Sequence, residues 1–271
     1  MTPLLIAALA AAALATIWLT MEYSVLIPPK KGLPVLMYHK VSPSEPDGLN
    51  VTPAQFESHL RYLKQQKYQT LSFSTLLKLY RNQEPLPPRS LIITFDDAYT
   101  NFRDFAIPLL KKYGFRATVM VPVAWMGKVN GWDQGSEPIL NAGALKSLAL
   151  NQEAEIGLHS FMHLNFNNMD PEQITGDLKM CRTVLESEGI PFVQVLAYPF
   201  GAYPRKNKER KERLFDVFRQ SKLSFALRIG NRINRWPLVN PYEIQRIDIK
   251  GTDPFCIFRI KVKKGRAKIF A

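Results

Sequence analysis

The sequence predicts an α/β fold whose parallel sheet closes into a barrel. Three observations carry that expectation. Short apolar runs rich in β-branched residues, such as Ser90-Leu-Ile-Ile-Thr-Phe95, read as fully buried strands. These runs alternate with segments of helical periodicity, the pattern of repeated strand–helix units. The count of about seven to eight units favours a barrel over an open sheet.

Taken in order, Leu4 to Leu19 is an alanine-rich apolar run broken only by Thr16. Its length approaches the roughly 20 residues that span a bilayer. No Lys or Arg precedes it and no clean cleavage site follows, so residues 1–22 read as an uncleaved signal anchor rather than a signal peptide. Membrane contact through residues 4–21 is expected. Lys30 and Lys31 weakly oppose an extracytoplasmic body by the positive-inside tendency. A linker over 23–32 leads into one domain, 33–271.

Within that domain Pro34 to Tyr38 is the first strand, ending at His39. Thr52-Pro53 supplies an N-cap and a first-turn proline for an amphipathic helix carrying Phe56, Leu60 and Leu63. A short strand near 68–71 and a helix from Ser74 precede the break at Pro85 to Pro88. The strand Leu91 to Phe95 then leads to a helix ending near Tyr113, with Gly114 as its C-cap. Ala117 to Pro122 and Ala154 to Leu158 read as strands, with a helix over Ala142 to Leu150 between them. Asp170-Pro171 opens a long helix. Gln194 to Tyr198, Phe225 to Ile229 and Glu243 to Ile249 are the remaining strands, and Pro254 to Lys263 closes the chain as a helix.

The 271 residues are 46% hydrophobic, enough for a sizeable single core. Lys and Arg number 36 against 23 Asp and Glu, a formal +13 that suits anionic lipid or polymer but selects neither. The basic run Arg205 to Arg213 contains Glu209 and Glu212 and reads as a solvated helix face. No nucleic-acid motif accompanies it, so no nucleic-acid partner is expected. Cys181 and Cys256 are too far apart in sequence to form a close metal pair, and both a bridge and two free thiols fit.

The chemistry gathers at strand ends. Asp96 and Asp97 follow the most apolar strand, where an acidic pair would be costly in a core but suits the rim of a parallel sheet. His159-Ser-Phe-Met-His163 follows another strand. On a helical turn, positions i and i+4 share a face, so both imidazoles can reach one ion. With Asp97 they make two imidazoles and a carboxylate, the donor set of a catalytic metal site. After a third strand comes Ala197-Tyr-Pro-Phe-Gly-Ala-Tyr203, where Pro199 and Gly201 set a tight turn able to aim a backbone N–H. Its aromatic residues are candidate surfaces for sugar rings.

Thr94-Phe-Asp-Asp97, His159-Ser-x-x-His163 and Tyr198-Pro-Phe-Gly201, in that order, resemble the polysaccharide deacetylase superfamily of carbohydrate esterases over roughly residues 33 to 250. The resemblance implies a distorted (β/α)7 barrel and a divalent metal, usually zinc, held by Asp97, His159 and His163. It implies Asp96 as the general base and the backbone N–H of Phe200 as an oxyanion donor. Two departures stand out. Ala197 occupies a position where many members carry an Arg that steadies the catalytic Asp, and Arg246 in the late strand is the candidate replacement. No histidine follows His163, although many members take their general acid from a late motif. The segment Leu36-Met-Tyr-His-Lys-Val-Ser42 resembles the permuted subgroup acting on poly-β-1,6-N-acetylglucosamine, which assigns His39 as the acid. His59, inside the amphipathic helix, reads as a surface or core-edge residue.

These residues imply a membrane-anchored, extracytoplasmic hydrolase that removes N-acetyl groups from an N-acetylglucosamine-containing polysaccharide. Tyr198, Pro199, Tyr203, Trp125 and Trp132 are expected to meet substrate. A deacetylase of peptidoglycan, of a lipid-linked sugar or of an O-acetylated glycan is the alternative within hydrolases. A non-catalytic glycan-binding barrel and a basic surface binder are the alternatives outside them.

Overall fold

Seven strands form a closed ring: β1 (Val35–Tyr38), β2 (Ser90–Phe95), β3 (Ala117–Val121), β4 (Ala154–Leu158), β5 (Val195–Ala197), β6 (Phe225–Ile229) and β7 (Ile244–Asp248). Each pairs in parallel with the next, and β7 returns to β1 through Leu36 opposite Ile247. The expected barrel is therefore present. This computed structural model describes residues 2–26, 28–133 and 136–267, for 19–26 the backbone alone. The expected domain runs on to residue 271, so its tail at 268–271 lies outside the described residues.

Helices fill the crossovers: α1 (Pro3–Leu26) precedes the barrel, then α2 (Pro53–Gln65), α3 (Phe73–Arg81), α4 (Ile107–Tyr113), α5 (Ala142–Leu150), α6 (Pro171–Ser187), α7 (Lys208–Gln220) and α8 (Phe255–Lys264). Their starts are chemically specified. Thr52 and Asp170 each form a capping box, accepting from the N–H three residues on while Gln55 or Gln173 accepts from the cap's own N–H, and each is followed by proline. The expected helix before Gly114 is compound. A π turn over Phe102–Ala106 precedes α4, because Pro108 has no N–H to continue a regular ladder. Gly114 ends α4 with a left-handed φ of 71°.

Strand alternation sorts the interior. Leu36, Tyr38, Leu91, Ile93 and Phe95 belong to the main apolar layer packed against outer helices. Val35, Ile92, Met120, Leu227 and Ile244 form a second cluster with Phe73 and Leu76 of α3. The period of two therefore puts Ile92, Thr94 and Asp96 on one side of β2, and Ile244 and Arg246 on the matching side of β7.

Some expectations change. His59 is buried, stacked on Phe258 at 3.8 Å and hydrogen-bonded to the Tyr38 hydroxyl at 3.2 Å, so it is a core residue. Burial pushes its imidazole down to about 3. Cys181 and Cys256 are both free thiols. Among the described residues, no helix is long and apolar enough to cross a membrane. The membrane segment expected over residues 4–21 therefore rests on the sequence alone.

Candidate metal centre and active site

Strand register delivers the site to one rim. Tyr38 lies opposite Phe95, and Val121 lies opposite Leu158. His39 and Asp96 thus leave their strands at a common level, and His159 leaves β4 two residues further along the register, because Phe95 lies opposite Val119 and Val119 opposite Ile156. Asp96 N donates to Tyr38 O and His159 N to Val121 O, both at 2.9 Å, extending the ladders one residue past the strands. Asp97 then turns with a φ of 69°, which bends the chain out of the strand direction.

Asp97, His159 and His163 are buried and offer one ligand atom each, all within 4.8 Å of one another. His159 Nε2 lies 3.5 Å and His163 Nε2 3.3 Å from Asp97 Oδ1. The Nδ1 of His159 sits 2.8 Å from Ala197 O. A carbonyl can only accept, so Nδ1 carries the hydrogen and the Nε2 lone pair faces Asp97. Asp97 Oδ1 is buried without a hydrogen-bond partner. An orphaned carboxylate oxygen between two imidazole nitrogens is costly unless a cation completes it, so these residues fit a divalent metal.

The histidines do not meet on a helical turn as the spacing predicts. Ser160 and His163 have left-handed φ values of 67° and 58°, so a tight loop brings the rings together. Asp177 of α6 holds that loop. Its Oδ2 accepts from Ser160 Oγ at 2.7 Å and Phe161 N at 2.9 Å, and Ser160 Oγ accepts from Leu164 N. Asp177 carries no motif, and the sequence reading missed it.

Asp96 meets Arg246, which is fully buried. Both guanidinium nitrogens donate to it, Nη2 to Oδ2 at 2.8 Å and Nη1 to Oδ1, and Nη1 also lies 3.4 Å from Thr94 Oγ1. Burial, the largest influence, pushes both carboxyls up. Arg246 overrides it at Asp96, and His163 and His159 override it at Asp97, so both end below the usual carboxylate range. Burial also drives His159 down to about 4, against the pull of Asp96. His39 Nε2 stands 3.9 Å from Asp96 Oδ2, as does His159 Nε2 from its own side.

A cavity of about 390 Å³ opens over these groups, lined by His39, Asp96, Asp97, His159, His163, Trp132 and Phe200. Trp132 stacks on His163 at 4.1 Å, and the exposed Phe200 ring meets the same imidazole edge-on at 4.7 Å. Phe200 has a left-handed φ of 59°, as the expected turn requires. Other expected substrate contacts lie elsewhere. Tyr198 is fully buried, donates to Tyr242 O at 3.0 Å and stacks on Tyr203 at 4.7 Å. Its ring points into the layer against Phe218 of α7, so it cannot receive a sugar. Pro199 and Tyr203 are buried outside this cavity, and Trp125 packs behind Trp132 at 5.3 Å. A second contact missing from the sequence reading is Lys40. Its ammonium lies 3.2 Å from Asp133, next to Trp132, and over the Tyr99 ring.

Residues 83–215 match the polysaccharide deacetylase family model. The chain is 30% identical over 182 residues to "Putative polysaccharide deacetylase YxkH" of Bacillus subtilis (strain 168), covering 67% of this chain and 61% of that protein. It is 25% identical over 193 residues to the poly-beta-1,6-N-acetyl-D-glucosamine N-deacetylase of Staphylococcus epidermidis, covering 61% of this chain and 64% of that protein. The chain thus spans about three fifths of the length of these relatives. The solved deacetylase PplD of Streptococcus pyogenes, in complex with acetate, shares the fold with a TM-score of 0.67 at 23% identity, over 83% of this chain and 94% of that one. Family match and closed barrel agree that the chain carries a polysaccharide deacetylase domain.

Proposed function

We propose that the chain is a metal-dependent deacetylase that removes N-acetyl groups from an N-acetylglucosamine-containing polysaccharide. The observation that carries the reading is the Asp97–His159–His163 cluster lying directly beside an Arg246-paired Asp96. The relative in S. epidermidis, named for poly-beta-1,6-N-acetyl-D-glucosamine, supports this polymer class.

A zinc ion held by Asp97, His159 and His163 would supply Lewis acidity toward the acetamide carbonyl and the attacking water. Asp96 accepts the proton of that water. Its pairing with Arg246 keeps it ionised and fixes its orientation. The N–H of Phe200 donates to the developing oxyanion. His39, whose Nε2 lies 3.9 Å from Asp96 on the cavity wall, hands a proton to the departing amine nitrogen. Trp132 and the Phe200 ring give the sugar apolar walls. Acetate and a glucosamine unit leave.

The apolar run Leu4 to Leu19 supports an anchor for the domain of residues 33–271, with 23–32 as linker, and a cell-surface polysaccharide substrate favours the extracytoplasmic side against the weak opposing vote of Lys30 and Lys31. Acetate release from a panel of N- and O-acetylated oligosaccharides, with and without chelator, tests the reading. Chelator-sensitive release from N-acetylglucosamine oligomers is expected. Release confined to O-acetylated glycans, or none from any glycan by zinc-loaded protein, would overturn it.

A further inference from the structure

The catalytic cavity adjoins a second cleft of about 460 Å³, and Gly201 and Ile229 line both as the saddle between them. Residue 201 puts no side chain on this saddle. Its φ is +62°, and a Cβ there would come within 2.8 Å of Ile229 Cγ1. The basic run that the sequence presents as a solvated helix face begins in this cleft. Arg205 and Lys206 line it together with Arg228 of β6, and no acidic residue does. Among the described residues, none of these three cations forms an ion pair. Among the described residues, the Nε of Arg228 is buried without a partner, and the side chain makes one hydrogen bond, a 3.3 Å contact from Nη1 to the neighbouring Ile229 O.

The neutral lining adds donors. Asn165 and Asn207 each commit Oδ1 to a backbone N–H, that of Asn167 and that of Arg210. Each therefore leaves its amide nitrogen as the end available to a ligand. The cleft offers three cations and amide donors with no carboxylate on its walls; Glu243 lies behind Tyr203, which donates to it, and is paired with Lys211. The catalytic cavity beside it is different in character, with Asp96, Asp97, Asp133 and Asp248 on its walls.

We propose that this second cleft is a subsite for an anionic group, a carboxylate or a phosphate, on the glycan unit adjoining the one that is deacetylated. Guanidinium groups bind either oxyanion through paired N–H donors, and the shared saddle lets one polymer chain occupy both clefts. The same charges repel a glucosamine already freed of its acetyl group, which disfavours consecutive deacetylation. The inference rests on the deacetylase reading only for which sugar lies in the neighbouring cavity.

The test is calorimetric binding of three N-acetylglucosamine oligomers of equal length to the zinc-loaded protein: neutral, uronate-bearing and phosphate-bearing. At least one acidic oligomer is expected to bind about tenfold tighter than the neutral one, and the advantage should shrink as salt shortens the screening length below about 10 Å. Which acidic oligomer gains tells carboxylate from phosphate. The variant R205Q/K206Q/R228Q should lose most of the advantage, as should R205Q/K206Q, which changes exposed residues only. A matched variant on exposed residues of α2, the turn after it and α3, K64Q/K67Q/R81Q, should keep it. Equal affinity for all three oligomers, a preference that survives R205Q/K206Q/R228Q, or one lost equally in K64Q/K67Q/R81Q would each overturn the subsite. Acetate release from the neutral oligomer in the same samples reports separately on the deacetylase reading.

Discussion

Arg246, in the last barrel strand, closes on Asp96 from 150 residues away in the chain. Arg246 is fully buried and Asp96 nearly so at the cavity wall, and each is the other's main compensation for burial. Breaking a buried pair by removing one partner costs about 3–5 kcal/mol, because the remaining charge stays buried and unpaired. Arg246→Ala should therefore lose roughly that much stability in urea denaturation. The double variant Arg246→Ala/Asp96→Asn should recover a substantial part, since the uncompensated carboxylate is gone. Full additivity of the two losses would contradict a direct pair.

Zinc should stabilise the protein by mass action, by about 2.7 kcal/mol at a free concentration 100 times its dissociation constant. Thermal melting with and without zinc should show a shift in the wild type. His163→Ala and Asp97→Asn should show little or none. An equal shift in all three proteins would place the metal elsewhere.

Asp177 acts at a distance, through Ser160 and Phe161, on the loop that carries both histidines. Loss of such supporting hydrogen bonds typically lowers metal affinity about 10–100-fold. Asp177→Ala should show that loss in a zinc titration while keeping its far-ultraviolet circular dichroism. Unchanged affinity would remove Asp177 from the account.

His59 gives a pH signature independent of the metal ligands. Its folded value of about 3 lies below the ordinary imidazole value of about 6.5, so the unfolded chain binds the extra proton first. Its contribution is complete above about pH 6.5 and is lost as pH falls from there toward 3. Denaturation midpoints in chelator should fall across that window. His59→Gln, which cannot titrate, should flatten the slope. An unchanged slope would mean that His59 does not stay neutral in the core.

Local chemistry explains which parts of the fold could be read from residues. The helix starts at Thr52-Pro53 and Asp170-Pro171 are set by neighbours within one turn, and the helix end at Gly114 by its own φ. Continuous apolar runs marked the barrel strands, because both faces of a parallel barrel strand are buried. Chain order suggested Arg246 as the partner of Asp96, and register explains the meeting, since both lie on the same face of their strands. Long-range choices were not legible. Tyr198 sits in a motif that suggests a sugar platform, yet the last residues of β5 turn it into the layer against α7. The helical spacing of His159 and His163 gave the right neighbours by the wrong geometry, because Asp177 enforces a left-handed loop from another element. Lys40 and Asp133 are 93 positions apart and share no pattern.

In the proposed reaction Asp97, His159 and His163 would hold the metal while Asp96 and His39 move the protons of acetamide hydrolysis. The most direct measurement is acetate release from an N-acetylglucosamine oligomer by wild type and His39→Ala, each zinc-loaded and each chelator-treated. Release by zinc-loaded wild type, loss with chelator and recovery on adding zinc are expected. For His39→Ala, kcat should fall about 100-fold or more at unchanged zinc content. Release that persists in chelator, or wild-type turnover by His39→Ala, would contradict this reaction.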